Sequence, residues 1–176
     1  MKRRLFLKYG LGGAALLSLG GVGLLLRPGR SAPLPEGGLK ALTPGQWATL
    51  VYAAAVINPG SSTLPSSDQL DTPKKIDRLV ATLDPDLQDE IRLILTLVEN
   101  PLAGALFDAQ PKPFSALSEA ERLTAITNWQ QSRLSVRRAA IKALVGLVHS
   151  VHWSHSDNWA HMGYPGPPPL GAAHAR

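Results

Sequence analysis

The chain predicts an all-α fold: a compact bundle of five or six helices behind an N-terminal signal or anchor segment. Three observations carry this expectation. Apolar residues recur at three- and four-residue spacing in successive segments. Those segments open on helix-start signatures and close at Asn-Pro or at Gly. No window alternates apolar and polar residues over a useful length, as a half-buried strand would.

The elements follow in order. Thr43-Pro44-Gly45-Gln46 combines a Thr N-cap, Pro at the first helical position and Gln to close a capping box. That helix runs through Trp47, Leu50, Val51, Ala54 and Ile57 and stops at Asn58-Pro59-Gly60. A polar loop spans Ser61 to Leu70. Thr72-Pro73 opens a second helix with Ile76, Leu79, Val80 and Leu83 as its apolar stripe. Asp84-Pro85 opens a third, with Leu87, Ile91, Ile94, Leu95 and Val98, which Asn100-Pro101 ends. Leu102 to Phe107 reads as a short helical turn, and Gln110 to Phe114 as a Pro-punctuated loop. Ser118-Glu119-Ala120-Glu121 is another capping box, opening a helix through Leu123, Ile126, Thr127 and Gln130. The last long helix covers about Leu134 to Val151. A short one from Asp157 to Met162 is closed by Gly163. Tyr164-Pro165-Gly166-Pro167 then leads into an extended tail. The resulting organisation is a leader over 1–31, a linker over 32–42, a helical domain over 43–163 and a Pro/Gly-rich tail over 164–176.

The leader has three parts. Residues 1–10 carry Lys2, Arg3, Arg4 and Lys8 and no acid; Leu11 to Leu26 is uncharged and apolar; Arg27-Pro28-Gly29-Arg30 ends the run. This is the layout of an export signal. Sixteen apolar residues fall short of the ~20 that a spanning helix needs, and six glycines between Gly10 and Gly23 weaken the helix further. Arg3-Arg4 followed by Phe6-Leu7-Lys8 resembles a twin-arginine leader, which implies a passenger exported already folded to the periplasm by the twin-arginine translocase. Gly29-Arg30-Ser31 is the nearest small-x-small triplet to a cleavage site, and cutting there leaves Ala32 first. Retention of the leader as a membrane anchor is the alternative.

The leader also explains the charge. The chain is formally +5, yet six of its eighteen Lys/Arg and none of its thirteen Asp/Glu lie in residues 1–30, leaving twelve bases against thirteen acids. The body is nearly neutral and offers no electrostatic footprint for nucleic acid. There is no cysteine, which excludes disulfides, cysteine-ligated iron–sulfur clusters and covalent c-type haem within this chain.

Catalytic patterns are scarce. The sequence contains no G-x-S-x-G, H-E-x-x-H or G-x-G-x-x-G placed after a strand. Asp84, Asp86, Asp89 and Glu90 sit where a helix N-terminus favours acids. His149 and His152, one helical turn apart, are weak metal-ligand candidates. His155 is rotated away from them, and His149 shares a stripe with Arg138 and Lys142, so a solvated or partner-facing polar edge is the expected role of this His group. The stretch from Ala139 to Trp153 is apolar around most of its circumference, as expected of a central helix of the bundle buried on several sides, with a partner-interface helix as the alternative. Trp129, Arg133, Arg137, Trp153, Trp159, Tyr164 and Pro165 are the candidate partner-interface residues, since large aromatics and arginines are typical anchors, although the aromatics are equally typical of a core.

Taken together, "LTPGQWATLVYAAAVINPG", "FSALSEAERLTAITNWQQSRLSVRRAAIKAL" and the closing W-x-x-M-GYPGPP, behind a twin-arginine leader, resemble the gluconate 2-dehydrogenase subunit 3 family over most of residues 40–169. The resemblance implies a non-catalytic small subunit of a membrane-associated sugar or alcohol dehydrogenase. It implies no cofactor in this chain and FAD on a catalytic partner of the glucose–methanol–choline type. That partner lacks its own leader and is escorted through export, with a cytochrome c subunit as a further possible partner. The His-rich stretch at 149–155 departs from the family pattern. Two other readings stay open: a membrane-tethered periplasmic structural or binding protein acting alone, and a metal-dependent enzyme built on the His cluster.

Overall fold

The computed structural model describes residues 28–167. Within them the chain forms six α-helices of eight residues or more, one single-turn helix and two 3₁₀ turns, with no strand among the described residues. The expected all-α bundle is what is seen.

Helix α1 (Pro44–Ile57) begins where the sequence places it. Gln46 N donates to Thr43 Oγ1 and Thr43 N donates to Gln46 Oε1, so the capping box closes from both sides. After Asn58 the chain turns through Gly60, whose φ of +80° favours glycine and where a Cβ would lie 2.8 Å from Ser66 N. Helix α2 (Thr72–Val80) starts one residue earlier than a Thr72 N-cap would place it. Asp71 occupies the N-cap position in the left-handed region (φ 52°) without a side-chain cap bond, and Thr72 is buried inside the first turn.

Helix α3 (Pro85–Glu99) and helix α4 (Pro101–Asp108) share Asn100, which ends the first and caps the second by accepting from Leu102 N at 2.9 Å. The stretch expected as one turn is therefore a full eight-residue helix. A 3₁₀ turn (Phe114–Ala116) leads to α5 (Glu119–Gln130), opened by the second capping box. The hydrogen bonds from the Ser118 backbone and hydroxyl hold the Glu121 carboxyl below its ordinary pKa. Helix α6 (Ser135–Trp153) is followed by the single turn α7 (Ser156–Trp159) and a 3₁₀ turn (Ala160–Met162), closed by Gly163 at φ 66°.

Helices α1 and α6 are the hub. α1 packs on α2, α3 and α5, and α6 packs on the same three. Leu50 of α1, Ile76 and Val80 of α2, Leu95 of α3 and Ile141 and Val148 of α6 are all fully buried in one cluster. Burial of each such side chain contributes about 1.5–3 kcal/mol. Several expected stripe positions face water instead: Leu79, Leu87 and Leu123 are 40%, 46% and 56% exposed.

Residues 32–42, expected as a linker, are fastened to the body, as are the residues just before them. Trp47 Nε1 donates to Pro33 O at 2.8 Å, and Tyr52 Oη donates to Ser31 O at 2.8 Å. Further on, the buried Asp77 of α2 accepts three consecutive main-chain amides: Lys40 N at 2.7 Å, Ala41 N at 3.0 Å and Leu42 N at 2.9 Å. Arg92 Nε of α3 donates to Ala41 O from the other side. This is a belt with one carboxylate as its buckle.

Candidate functional site

The residues singled out from sequence divide into those the fold uses internally and those it leaves at the surface. Trp129 and Arg137 belong to the first group, which corrects their expected role as partner anchors. Trp129 is 5% exposed. The Arg137 guanidinium lies 4.6 Å from the Trp129 ring centroid and forms an ion pair with Asp108, both partners being almost fully buried. The expectation missed Asp108, the last residue of α4, which meets Arg137 of α6.

His152 is the second correction. It is 2% exposed rather than part of a polar edge. Its Nδ1 lies 3.3 Å from Thr72 Oγ1, the direction of that bond being set by the imidazole tautomer. Its carbonyl accepts from Asn158 Nδ2 at 2.7 Å, and its ring meets Trp153 edge-on at 5.2 Å. Burial pushes the His152 pKa down, and the charges of His149, His155 and Lys75 push the same way. A neutral imidazole that ties α2, α6 and α7 together is a structural joint. Among the described residues no group of three His, Asp or Glu side chains is arranged to hold a metal ion.

Two further charged groups are held internally. Arg122 is buried, donates to Phe114 O and Ser115 O, and lies 4.2 Å from the Tyr52 ring centroid. Burial lowers its pKa. Glu99 accepts from Thr49 Oγ1 (3.0 Å), Ser115 N (3.0 Å) and Ser115 Oγ (2.6 Å). Sequence offers no signal for either arrangement, because the partners meet only once the helices pack.

What remains at the surface is apolar. Between α3 and α6 lies a groove of about 240 Å³, lined by Leu87, Ile91, Ile94, Ala143 and Leu147, with Glu90 as its charged residue. Beside it, α6 exposes the small residues Ala139, Ala143 and Gly146 together with Arg138 and Lys142. No family model, curated protein or solved structure matches this chain. At the start of α6, Arg133 is exposed beside Leu134 and Val136, which are 41% and 59% exposed. At its far end Trp153 and Trp159 are half-buried, while Tyr164 and Pro165 are exposed. Trp159 and Tyr164 meet edge-on at 5.4 Å. Of the expected interface residues, Arg133, Trp153, Trp159, Tyr164 and Pro165 are thus accessible. Leu87, Ile91 and Ile94 belong to the apolar stripe expected of α3, and the structure leaves them lining this groove.

No helix among the described residues is long and apolar enough to cross a membrane. Arg3, Arg4, Phe6, Leu7 and Lys8 lie outside the described residues, as does the end of the tail.

Proposed function

We propose that this chain is a non-catalytic small subunit that binds a flavin-dependent dehydrogenase of the glucose–methanol–choline type and escorts it, folded, through twin-arginine export to the periplasm. The observation that carries the reading is the α3–α6 groove. Leu87, Ile91, Ile94 and Leu147 present a continuous apolar surface with Glu90 as the one charge in its lining, on a body whose own core is already closed by Leu50, Ile76, Leu95 and Ile141. Apolar surface left over after the core is complete marks a protein-binding face. The leader supports the same reading: a flavin is inserted where it is made, so a flavoprotein and its escort assemble before they cross.

Co-expression with any flavin-dependent dehydrogenase found in a neighbouring reading frame tests this. The two should co-purify, and Arg3→Lys with Arg4→Lys should hold both in the cytoplasm. Normal export of the flavoprotein beside that variant would refute the escort role. The closed core also favours a second reading, a tethered domain acting alone, for which the same co-purification would return a monodisperse single chain.

A further inference from the structure

Gly29-Arg30-Ser31, the small-x-small triplet nearest a processing site, is described from end to end and does not hang free. Gly29, Arg30 and Ser31 are exposed on their outer side, yet Gly29 lies close enough to the body that a Cβ there would meet the side-chain ends of Glu99 and Ser115. Arg30 N donates to Ser115 Oγ at 2.8 Å, and that hydroxyl donates to Glu99 Oε1 at 2.6 Å, so the main chain is linked through one hydroxyl to a carboxylate. The Arg30 guanidinium sits 5.4 Å from the Tyr52 ring centroid, with Arg122 also stacked on that ring. The Tyr52 hydroxyl holds Ser31 O and Trp47 holds Pro33 O. Around the Ser31–Ala32 bond, Arg30, Ser31 and Pro33 are thus each held through a main-chain atom.

We propose that this docked segment is a strap whose hydrogen bonds pin the accessible Ser31–Ala32 stretch and keep it out of a peptidase's extended binding geometry, so that the folded molecule keeps its leader and remains tethered by it. An endopeptidase binds its substrate extended, with the residues before the scissile bond in its own pockets. Here those residues must first leave Glu99, Ser115 and Tyr52. Cleavage then tracks the population in which the strap is open. The tether rests on reading residues 1–31 as an export leader; the pinning does not.

Two arms separate these. In the first, the purified full chain is treated with trypsin, which cuts Arg30–Ser31 within the strap, and the products are timed by mass. The expected rate is at least about a hundredfold below that of the urea-unfolded chain, since three hydrogen bonds must open together. Ser115→Ala, which removes the acceptor of Arg30 N and the hydroxyl that links it to Glu99, should speed cleavage while helical content stays unchanged. Tyr52→Phe, which keeps the ring between the two arginines and loses only the bond to Ser31 O, should accelerate it less. Wild-type cleavage at the unfolded rate, or Ser115→Ala as resistant as wild type, overturns the strap. In the second arm, the intact mass of the chain recovered outside the cytoplasm should include residues 1–31; a folded product beginning at Ala32 overturns the retention. A chain that never leaves the cytoplasm refutes the export reading and leaves the trypsin result to decide the strap.

Discussion

Removing the Asp77 carboxylate tests how the belt is held. Asp77→Ala deletes the acceptor for three amides at once. The Leu42 amide is the buried one, and an orphaned buried donor costs about 1–3 kcal/mol. Lys40 and Ala41 are nearer the surface, where water replaces the lost acceptor and each forfeits only the ~1 kcal/mol of an ordinary net hydrogen bond. Relief of one desolvated carboxylate offsets part of the sum, leaving about 3 kcal/mol. At ~2–4 °C per kcal/mol for a chain of this size, the melting temperature should fall by about 9 °C. Asp77→Asn keeps one acceptor oxygen and should lose about half as much. Urea unfolding followed by circular dichroism gives the free energy, and hydrogen exchange at Leu42 shows where the loss falls. An Asp77→Ala protein within ~0.5 kcal/mol of wild type, with Leu42 still protected, would refute the buckle.

Three further outcomes are expected. Arg137→Ala leaves Asp108 buried without its partner and should destabilise by about 3–5 kcal/mol in urea unfolding, whereas replacing both residues by apolar ones of similar volume should recover most of the loss. Burial depresses the His152 pKa in the folded state, so the unfolded chain binds that proton first; stability should be fully present above the ordinary histidine pKa and drain away as pH falls through it toward the folded value. His152→Gln should flatten this slope, measured as the urea midpoint against pH. Leu87→Glu, at a position already 46% exposed, should leave stability within ~0.5 kcal/mol but abolish capture of the flavoprotein partner in pull-down.

What the sequence made legible was local. Thr43 with Gln46 and Ser118 with Glu121 cap their helices as read, because both halves of each box lie three residues apart. Gly163 closes the last turn for the same reason. The shifted start of α2 was not legible, because Asp71 adopts a left-handed conformation for which its neighbours give no warning. The errors of role were all tertiary. Trp129 and Arg137 have the chemistry of interface anchors, but their partner Asp108 is 29 residues away from Arg137 in sequence and turns the pair inward. His152 shares its polar stretch with exposed neighbours, and only Thr72, 80 residues earlier, explains its burial. Asp77, Glu99 and Arg122 look in the sequence like ordinary surface charges; each is recruited by backbone groups from another element.

The stretch from Arg30 to Leu42 is synthesised before the body it lies on, so it is among the last that can find its place. Arg30 waits for Ser115, 85 residues downstream, which at ~5–20 residues per second takes on the order of 4 to 17 seconds to be synthesised. Lys40 to Leu42 wait for Asp77 in the same way. Until α3, the Phe114–Ala116 turn and their neighbours have assembled, the stretch beside the basic N-terminus has nothing to lie on, so its docking reports that the body behind it is complete.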